Sequence, residues 1–397
     1  MTDKEFDQKQ LATRAIRDGI SRSHEGEHSE ALFMTSSYVF ENAEHAAHRF
    51  SGEELGNVYS RYTNPTVRGF EERFASIEQA PTAVATGSGM AAILSVMMTF
   101  LEAGDRVVCS QSVFGSTISL LENFFRKMSI DIDYAIIDDP SSWTETVTSK
   151  TKLVFVETPS NPLNQIADLK FLSRLAKQNN ALLVVDNTYC TPIIQRPLAL
   201  GADVSLYSTT KYIDGQGRSL GGVVTGSQEL MDRVVGFVRS AGPSMSPFNA
   251  WLCLKSLETL ELRMLRHVDS ALKIANWLEQ HESVSAVYHS GLPSHPQYEL
   301  AQRQHIGGHG SAVVSFDVTG DVTSAWRVID ALRIFSITAN LGDAKSTVVH
   351  PATTTHSRVS PEERAAVGIK ESLVRLSIGL EACDDLINDL SQALKQL

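Results

Sequence analysis

No stretch of the 397-residue sequence approaches the ~20 consecutive apolar residues that a membrane-spanning helix requires. Cysteine is scarce: Cys109, Cys190, Cys253 and Cys383 stand no closer than 63 positions apart, which excludes a CxxC redox motif or a zinc ribbon and leaves small core residues as the reading. Positive charge is in deficit. Against 46 Asp and Glu there are 35 Lys and Arg, a net charge of −11, so the chain lacks the electrostatic footprint of a nucleic-acid binder. It also gains little from an anionic membrane surface. The opening residues MTDKEFDQKQ carry acids and no apolar core, unlike a signal or transit peptide. A soluble, cytoplasmic protein is expected. Internal repeats and low-complexity segments are absent too, and 42% hydrophobic with 20% charged residues is a globular mixture. The length allows two to three domains, or one large α/β domain with an appendage.

What the sequence does hold is alternation. A polar arm ends in a short helix near residue 20, and the chain then stays irregular to about Tyr62. NPTVRGFEERFASIEQ predicts a helix, with Pro65 near its start and Val67, Phe70, Phe74 and Ile77 at helical spacing. Strands are expected at 106–110, 132–137, 152–157, 181–186 and 204–208, with helices such as 172–178 between them. Strands apolar throughout and separated by helices predict a parallel sheet covered on both faces. After GPSMSP the pattern changes to a long helical run from about Asn249 to Gln280. Strands VSAVYH, SAVVSFDV and SLVRLSI follow, then a final helix near DLINDLSQALKQL, so a domain boundary is placed near 255.

Two motifs point in other directions. His24-Glu25-Gly26-Glu27-His28 spells H-E-x-x-H, a zinc-peptidase pattern that needs both imidazoles on one helix face. The central glycine and polar flanks favour a solvated or substrate-adjacent loop. Gly87-Ser88-Gly89-Met90-Ala91-Ala92 is a partial G-x-G-x-x-A, but Asp105 precedes the next strand rather than ending it, so a nicotinamide or flavin oxidoreductase is the weaker reading. What the string does specify is a glycine turn opening an apolar helix, whose N-terminal N–H groups can meet a phosphate.

Asp186 closes the strand ALLVVD, and Lys211 follows the strand VSLYS 25 residues later. Ligands of open α/β sheets bind at the carboxyl ends of strands, so the acid and the lysine can face one pocket beside the Gly87–Met90 turn. Phosphate donors, an acid and a lysine are what pyridoxal 5′-phosphate (PLP) requires. The lysine bonds its aldehyde carbon, and the acid keeps its ring nitrogen protonated.

From about Ala12 to Leu390 the sequence resembles the Cys/Met-metabolism PLP enzymes, or trans-sulfuration enzymes. The most specific string is Ser208-Thr209-Thr210-Lys211-Tyr212. The resemblance implies Lys211 as the catalytic lysine, with Ser208, Thr210, Gly89 and Met90 on the phosphate. It implies Asp186, with Thr188, at the ring nitrogen, and the asparagine of Glu157-Thr158-Pro159-Ser160-Asn161-Pro162 on the ring oxygen. In Tyr59-Ser60-Arg61-Tyr62, Tyr59 and Arg61 would clamp the phosphate of the neighbouring subunit's cofactor, a task suited to a guanidinium fork. A homodimer at least is then implied, and in this family's usual assembly a homotetramer. Arg375 would bind the substrate's α-carboxylate, because an arginine inside an apolar strand needs an anion. The fold implied is aspartate-aminotransferase-like: an α/β fold, with a mostly parallel central sheet and a smaller C-terminal α/β domain. The domains would be 1–62 as arm and inter-subunit segment, 63–255 as cofactor domain, and 256–397 as C-terminal domain.

Two departures narrow the activity. Where the family usually places tyrosine over the cofactor ring the sequence has Phe114, which can stack but cannot transfer a proton. Asn340 precedes Leu341-Gly342 where lyases and cystathionine synthases usually show serine, which assigns Asn340 to substrate binding. Together with His350-Pro351-Ala352-Thr353-Thr354-Thr355-His356 and the Glu27–Tyr38 stretch, this is similar to the homoserine sulfhydrylases. The implied reaction is γ-replacement on an O-acyl-L-homoserine, with the succinyl ester preferred, by sulfide. No metal is expected, and His350 and His356 are read as parts of a structural loop. Within the family the alternatives are a cystathionine γ-synthase or γ-lyase and an O-acetylhomoserine sulfhydrylase.

Overall fold

The computed structural model describes residues 9–357 and 360–397. The polar stretch read at the start of the sequence lies, over residues 1–8, outside the described residues. The strands, in chain order, are β1 (Thr82–Thr86), β2 (Arg106–Ser110), β3 (Asp131–Ala135), β4 (Thr151–Glu157), β5 (Leu182–Asp186), β6 (Val204–Ser208), β7 (Gly222–Gly226), β8 (Val284–Tyr288), β9 (Val313–Val318), β10 (Ser336–Ile337), β11 (Thr347–Val349) and β12 (Leu373–Ser377). The chain divides into two compact units. One comprises Met1–Thr99, Leu206–Asp214 and Arg218–Thr259; the other comprises Phe100–Ser205, Gly215–Gly217 and Leu260–Leu397.

In the first unit the helix Pro65–Glu78 starts where Asn64 accepts the N–H groups of Thr66 and Val67 at 2.9 and 3.3 Å, with proline in the first turn. It buries Phe70, Phe74 and Ile77 and packs on the helix Pro247–Leu257. The ring of Phe74 meets that of Tyr207 at 4.9 Å. β1 pairs antiparallel with β7, from Thr82 opposite Gly226 to Thr86 opposite Gly222. The sequence reading had foreseen neither this reversal nor the strand, because GVVTG is short and bounded by glycine. The helix Ala43–Ser51 also corrects the expectation of an irregular chain before Tyr62. It buries no residue, so it has no apolar stripe to read, but its caps were visible: Asn42 accepts from the N–H of His45 at 2.8 Å, and Gly52 ends it at φ 82°.

In the second unit β5, β4, β2 and β3 lie side by side in that order, all parallel. Leu153, Val154, Phe155, Val156, Leu183, Val184 and Val185 are buried, as in a sheet covered on both faces. A smaller, mostly antiparallel sheet has the order β10-β11-β12-β9-β8. Its core joins Val314, Phe316, Val374 and Leu376 to helical residues such as Leu386 and Leu390. The helical run expected from Asn249 to Gln280 is two helices, Pro247–Leu257 and Leu260–Glu279.

Candidate active site

In the first unit, the helix Gly89–Phe100 follows β1 through the turn Gly87-Ser88. Its third and fourth N–H groups are engaged by Ser88: Ala91 donates to the hydroxyl and Ala92 to the carbonyl, each at 3.0 Å. Helix geometry leaves the N–H groups of Gly89 and Met90 without intrahelical acceptors. Ser208 ends β6 against this turn. A Cβ at residue 89 would stand 2.6 Å from the Ser208 Cβ and 2.9 Å from its hydroxyl. Glycine therefore lets two hydroxyl-bearing chain turns approach around a pair of free N–H donors. Thr210 receives the N–H of Gly221 at 3.2 Å, and the N–H of Lys211 donates to the Ser208 carbonyl at 3.3 Å. Gly89, Met90, Ser208, Thr210 and Lys211 thus occupy one turn cluster.

Tyr59 and Arg61 lie elsewhere in the same unit. The Arg61 guanidinium stands 4.7 Å from the Tyr62 ring centre and 5.5 Å from that of Tyr59, and it donates to the Arg239 carbonyl. Both residues border or flank a cavity of about 210 Å³ whose lining includes Arg61, Arg68, Glu71 and Arg239.

In the second unit, three strand ends meet. β4 ends on Glu157 and β5 on Asp186, and the two residues are register partners. Asp186 accepts the N–H of Thr188 at 3.0 Å. Burial pushes its carboxyl up to about 6, against the opposing hydrogen bonds from Thr188. Phe114, beyond the end of β2, donates its N–H to the Glu157 carboxylate at 2.7 Å and leaves its ring 40% exposed. The sequence reading quoted Glu157 only as part of a string; no local pattern announces a contact between residues 43 positions apart.

Arg375, on β12, is buried. It donates to Asn161 Oδ1 at 3.0 Å and to the Asn340 carbonyl at 3.3 Å, while its buried Nε has no hydrogen-bond partner among the described residues. Both acceptors are neutral, and no carboxylate pairs with it among the described residues. A guanidinium so placed is an anion receptor. Beside it, burial and the Arg375 charge push the His356 imidazole down to about 4. His350 is held by Thr353 and the Glu371 carbonyl, each at 2.8 Å, so the two histidines belong to a structured loop. Residues 24–28 form turn and bend rather than a helix, so His24 and His28 do not share a helical face.

The donor set suits PLP on its own chemistry. The N–H and hydroxyl groups around Gly89 and Ser208 fit a phosphate. Asp186 is a buried carboxyl lacking a cation among its recorded ion pairs, as a protonated ring nitrogen requires. Lys211 supplies the amine.

Comparison with known proteins agrees. Residues 12–395 match the family described as Cys/Met metabolism PLP-dependent enzyme. The O-succinylhomoserine sulfhydrylase of Pseudomonas aeruginosa is 56% identical over 395 residues, covering 100% of this chain and 98% of that protein. The protein of the same name from Mycobacterium tuberculosis is 46% identical over 386 residues, or 96% and 95% of the two chains. A Campylobacter jejuni structure described as an O-acetylhomoserine (thiol)-lyase, with pyridoxyl-lysine phosphate, superposes with a TM-score of 0.93 at 33% identity, covering 98% of this chain and 100% of its own.

Proposed function

The chain belongs to the Cys/Met metabolism PLP-dependent enzymes, and from that premise we propose that it replaces the acyloxy group of O-succinyl-L-homoserine with sulfide. The products are L-homocysteine, for methionine biosynthesis, and succinate. The observation that carries the reading is full-length likeness to two bacterial sulfhydrylases of that ester.

Bound PLP supplies a protonated ring into which negative charge at the substrate's amino-bearing carbon can spread. Lys211 is proposed to hold the cofactor through its aldehyde carbon, and then to remove and return the proton at the substrate α-carbon. Asp186 keeps the ring nitrogen protonated and gains the counter-charge its burial denies it. Gly89, Met90, Ser208 and Thr210 take the phosphate, joined by Tyr59 and Arg61 of the neighbouring subunit. Phe114 stacks on the ring, and Asn161 and Thr188 contact it. Arg375, with Asn340, takes the substrate's α-carboxylate, which meets the unpaired Nε. Succinate leaves the γ-carbon as a stable carboxylate, so no proton from position 114 is needed, and sulfide takes its place.

A cross-subunit clamp requires a homodimer at least, and a homotetramer in the family's usual assembly. A cytoplasmic location belongs to the same proposal; no described helix is long and apolar enough to cross a membrane. The test is product analysis with sulfide and with cysteine. Homocysteine from the succinyl ester and sulfide is expected. Cystathionine as the dominant product would make the protein a cystathionine γ-synthase instead.

A further inference from the structure

Phe114 has no hydroxyl, so no side-chain hydrogen bond can fix where its ring stands. Its backbone can. The residue precedes the helix Gly115–Leu120, and its own N–H is held by Glu157 Oε2 at 2.7 Å. A carboxylate acceptor makes this a charge-assisted bond, short and directional. Glu157 is buried and closes β4, with β2, the strand leading to Phe114, on one side and β5 on the other. Its register partner on β5 is Asp186. Residues opposite one another on neighbouring strands point to the same sheet face, about 4.8 Å apart. The Thr158 N–H also reaches across to the Asp186 carbonyl, at 3.4 Å. Keeping a second carboxylate buried beside Asp186 costs free energy. Its charge also acts on its surroundings: after burial, Glu157 is the next cause that pushes the Cys109 thiol up. A glutamine would accept the same N–H without that cost, so the length of the arm matters as well as the charge.

We propose that Glu157 is a positioning residue that fixes the Phe114 ring relative to Asp186, doing through the backbone what a phenol would do through its hydroxyl. The inference rests on the PLP reading and not on the identity of the acyl ester. It concerns two contacts with one cofactor, the ring face at Phe114 and the ring nitrogen at Asp186.

Glu157→Gln and Glu157→Asp separate reach from charge. Gln keeps an acceptor at the same reach without charge; Asp keeps the charge but is one carbon shorter and cannot reach the Phe114 N–H. Two readouts do not depend on turnover: the visible circular dichroism of bound PLP, and hydrogen exchange at the Phe114 amide. In Glu157→Gln the dichroic band and amide protection should be retained, with kcat within about threefold of the parent. In Glu157→Asp the band should fall by more than half, the amide should exchange at least about tenfold faster, and kcat should drop about tenfold with little change in the KM for acylhomoserine, the magnitude of one charge-assisted bond. Parent-like behaviour of Glu157→Asp, or equal impairment of the two variants, would overturn the proposal. A Glu157→Asp chain that fails to fold while Glu157→Gln retains band and protection supports reach over charge; failure of both to fold overturns it. Either ester serves for the kinetics, so a wrong assignment of the substrate leaves the spectroscopic result intact.

Discussion

Asp186 carries a charge that the folded chain resists. Burial raises its pKa from 3.8 to about 6. Between those values the folded, cofactor-free chain binds more protons than the unfolded chain, so this group's contribution to stability falls as pH rises through that window. A cationic ring nitrogen reverses the preference, and PLP affinity is expected to strengthen as pH rises through about 6. Asp186→Asn should remove both dependences. It should also lower kcat by on the order of 10²-fold or more, because an amide supplies no charge to the ring. Melting of the apoprotein across pH 4–7, PLP titration and turnover are the measurements; near-normal turnover would remove Asp186 from the proposed role. The residues at strand ends were readable because Asp186 and Lys211 sit at the end of, or just after, apolar strands. Glu157 and the His356–Arg375 contact were not, since each depends on segments brought together only by the sheets.

At the level of elements, strands with continuous apolar character were located almost to the residue: 106–110 and 204–208 match β2 and β6. Elements whose formation depends on neighbours rather than on pattern were not, as β7 and the unburied helix Ala43–Ser51 show. The start of the helix Gly89–Phe100 gives a sharp test. Gly89→Ala places a Cβ within 2.6 Å of the Ser208 Cβ, so the turn must open. A cost of about 1–3 kcal/mol in stability is expected, together with weaker PLP binding in equilibrium dialysis and no shift in product. Unchanged PLP affinity would separate this turn from the phosphate. Another element junction depends on Glu30, whose carboxylate pairs with the buried Arg73 and with Lys255 at 2.8 Å. Burial raises its pKa, but hydrogen bonds from Lys255 and Arg73 outweigh that and hold it at about 2. Its contribution is complete above the unfolded value of 4.5 and is lost as pH falls toward 2. Arg73→Met, which leaves a buried carboxylate short of a partner, should cost about 3–5 kcal/mol in denaturant unfolding at pH 7, and less at pH 3. An equal loss at both pH values would show that Arg73 acts through packing alone.

For the whole molecule, the proposed clamp makes assembly part of the chemistry. Arg61→Ala and Lys211→Ala should each be inactive or nearly so. Mixed dimers should regain activity at the site that has Lys211 from one chain and Arg61 from the other. No recovery in verified hybrids would mean that Arg61 serves its own subunit. The same scale governs ester choice. A chain of net charge −11 repels an ester with an additional carboxylate, so preference for succinyl over acetyl needs a local cation. Of the cations in candidate loops, Arg49 is tied to Glu54 at 2.8 Å and Arg218 to Asp214 at 2.9 Å. Lys345 is held only loosely, 3.8 Å from Asp343, with 75% of its side chain exposed. It follows Asn340 in the loop whose carbonyl receives Arg375. An exposed, weakly paired ammonium can turn to a new carboxylate at little cost. Lys345→Ala should therefore reduce kcat/KM for O-succinylhomoserine about 10- to 150-fold, the equivalent of a charge-assisted contact, while leaving the acetyl ester nearly unaffected. If both esters fall together, Lys345 supports the loop rather than the succinyl tail. If the parent enzyme itself prefers the acetyl ester, the substrate assignment reverses while the family, the cofactor and the fold stand.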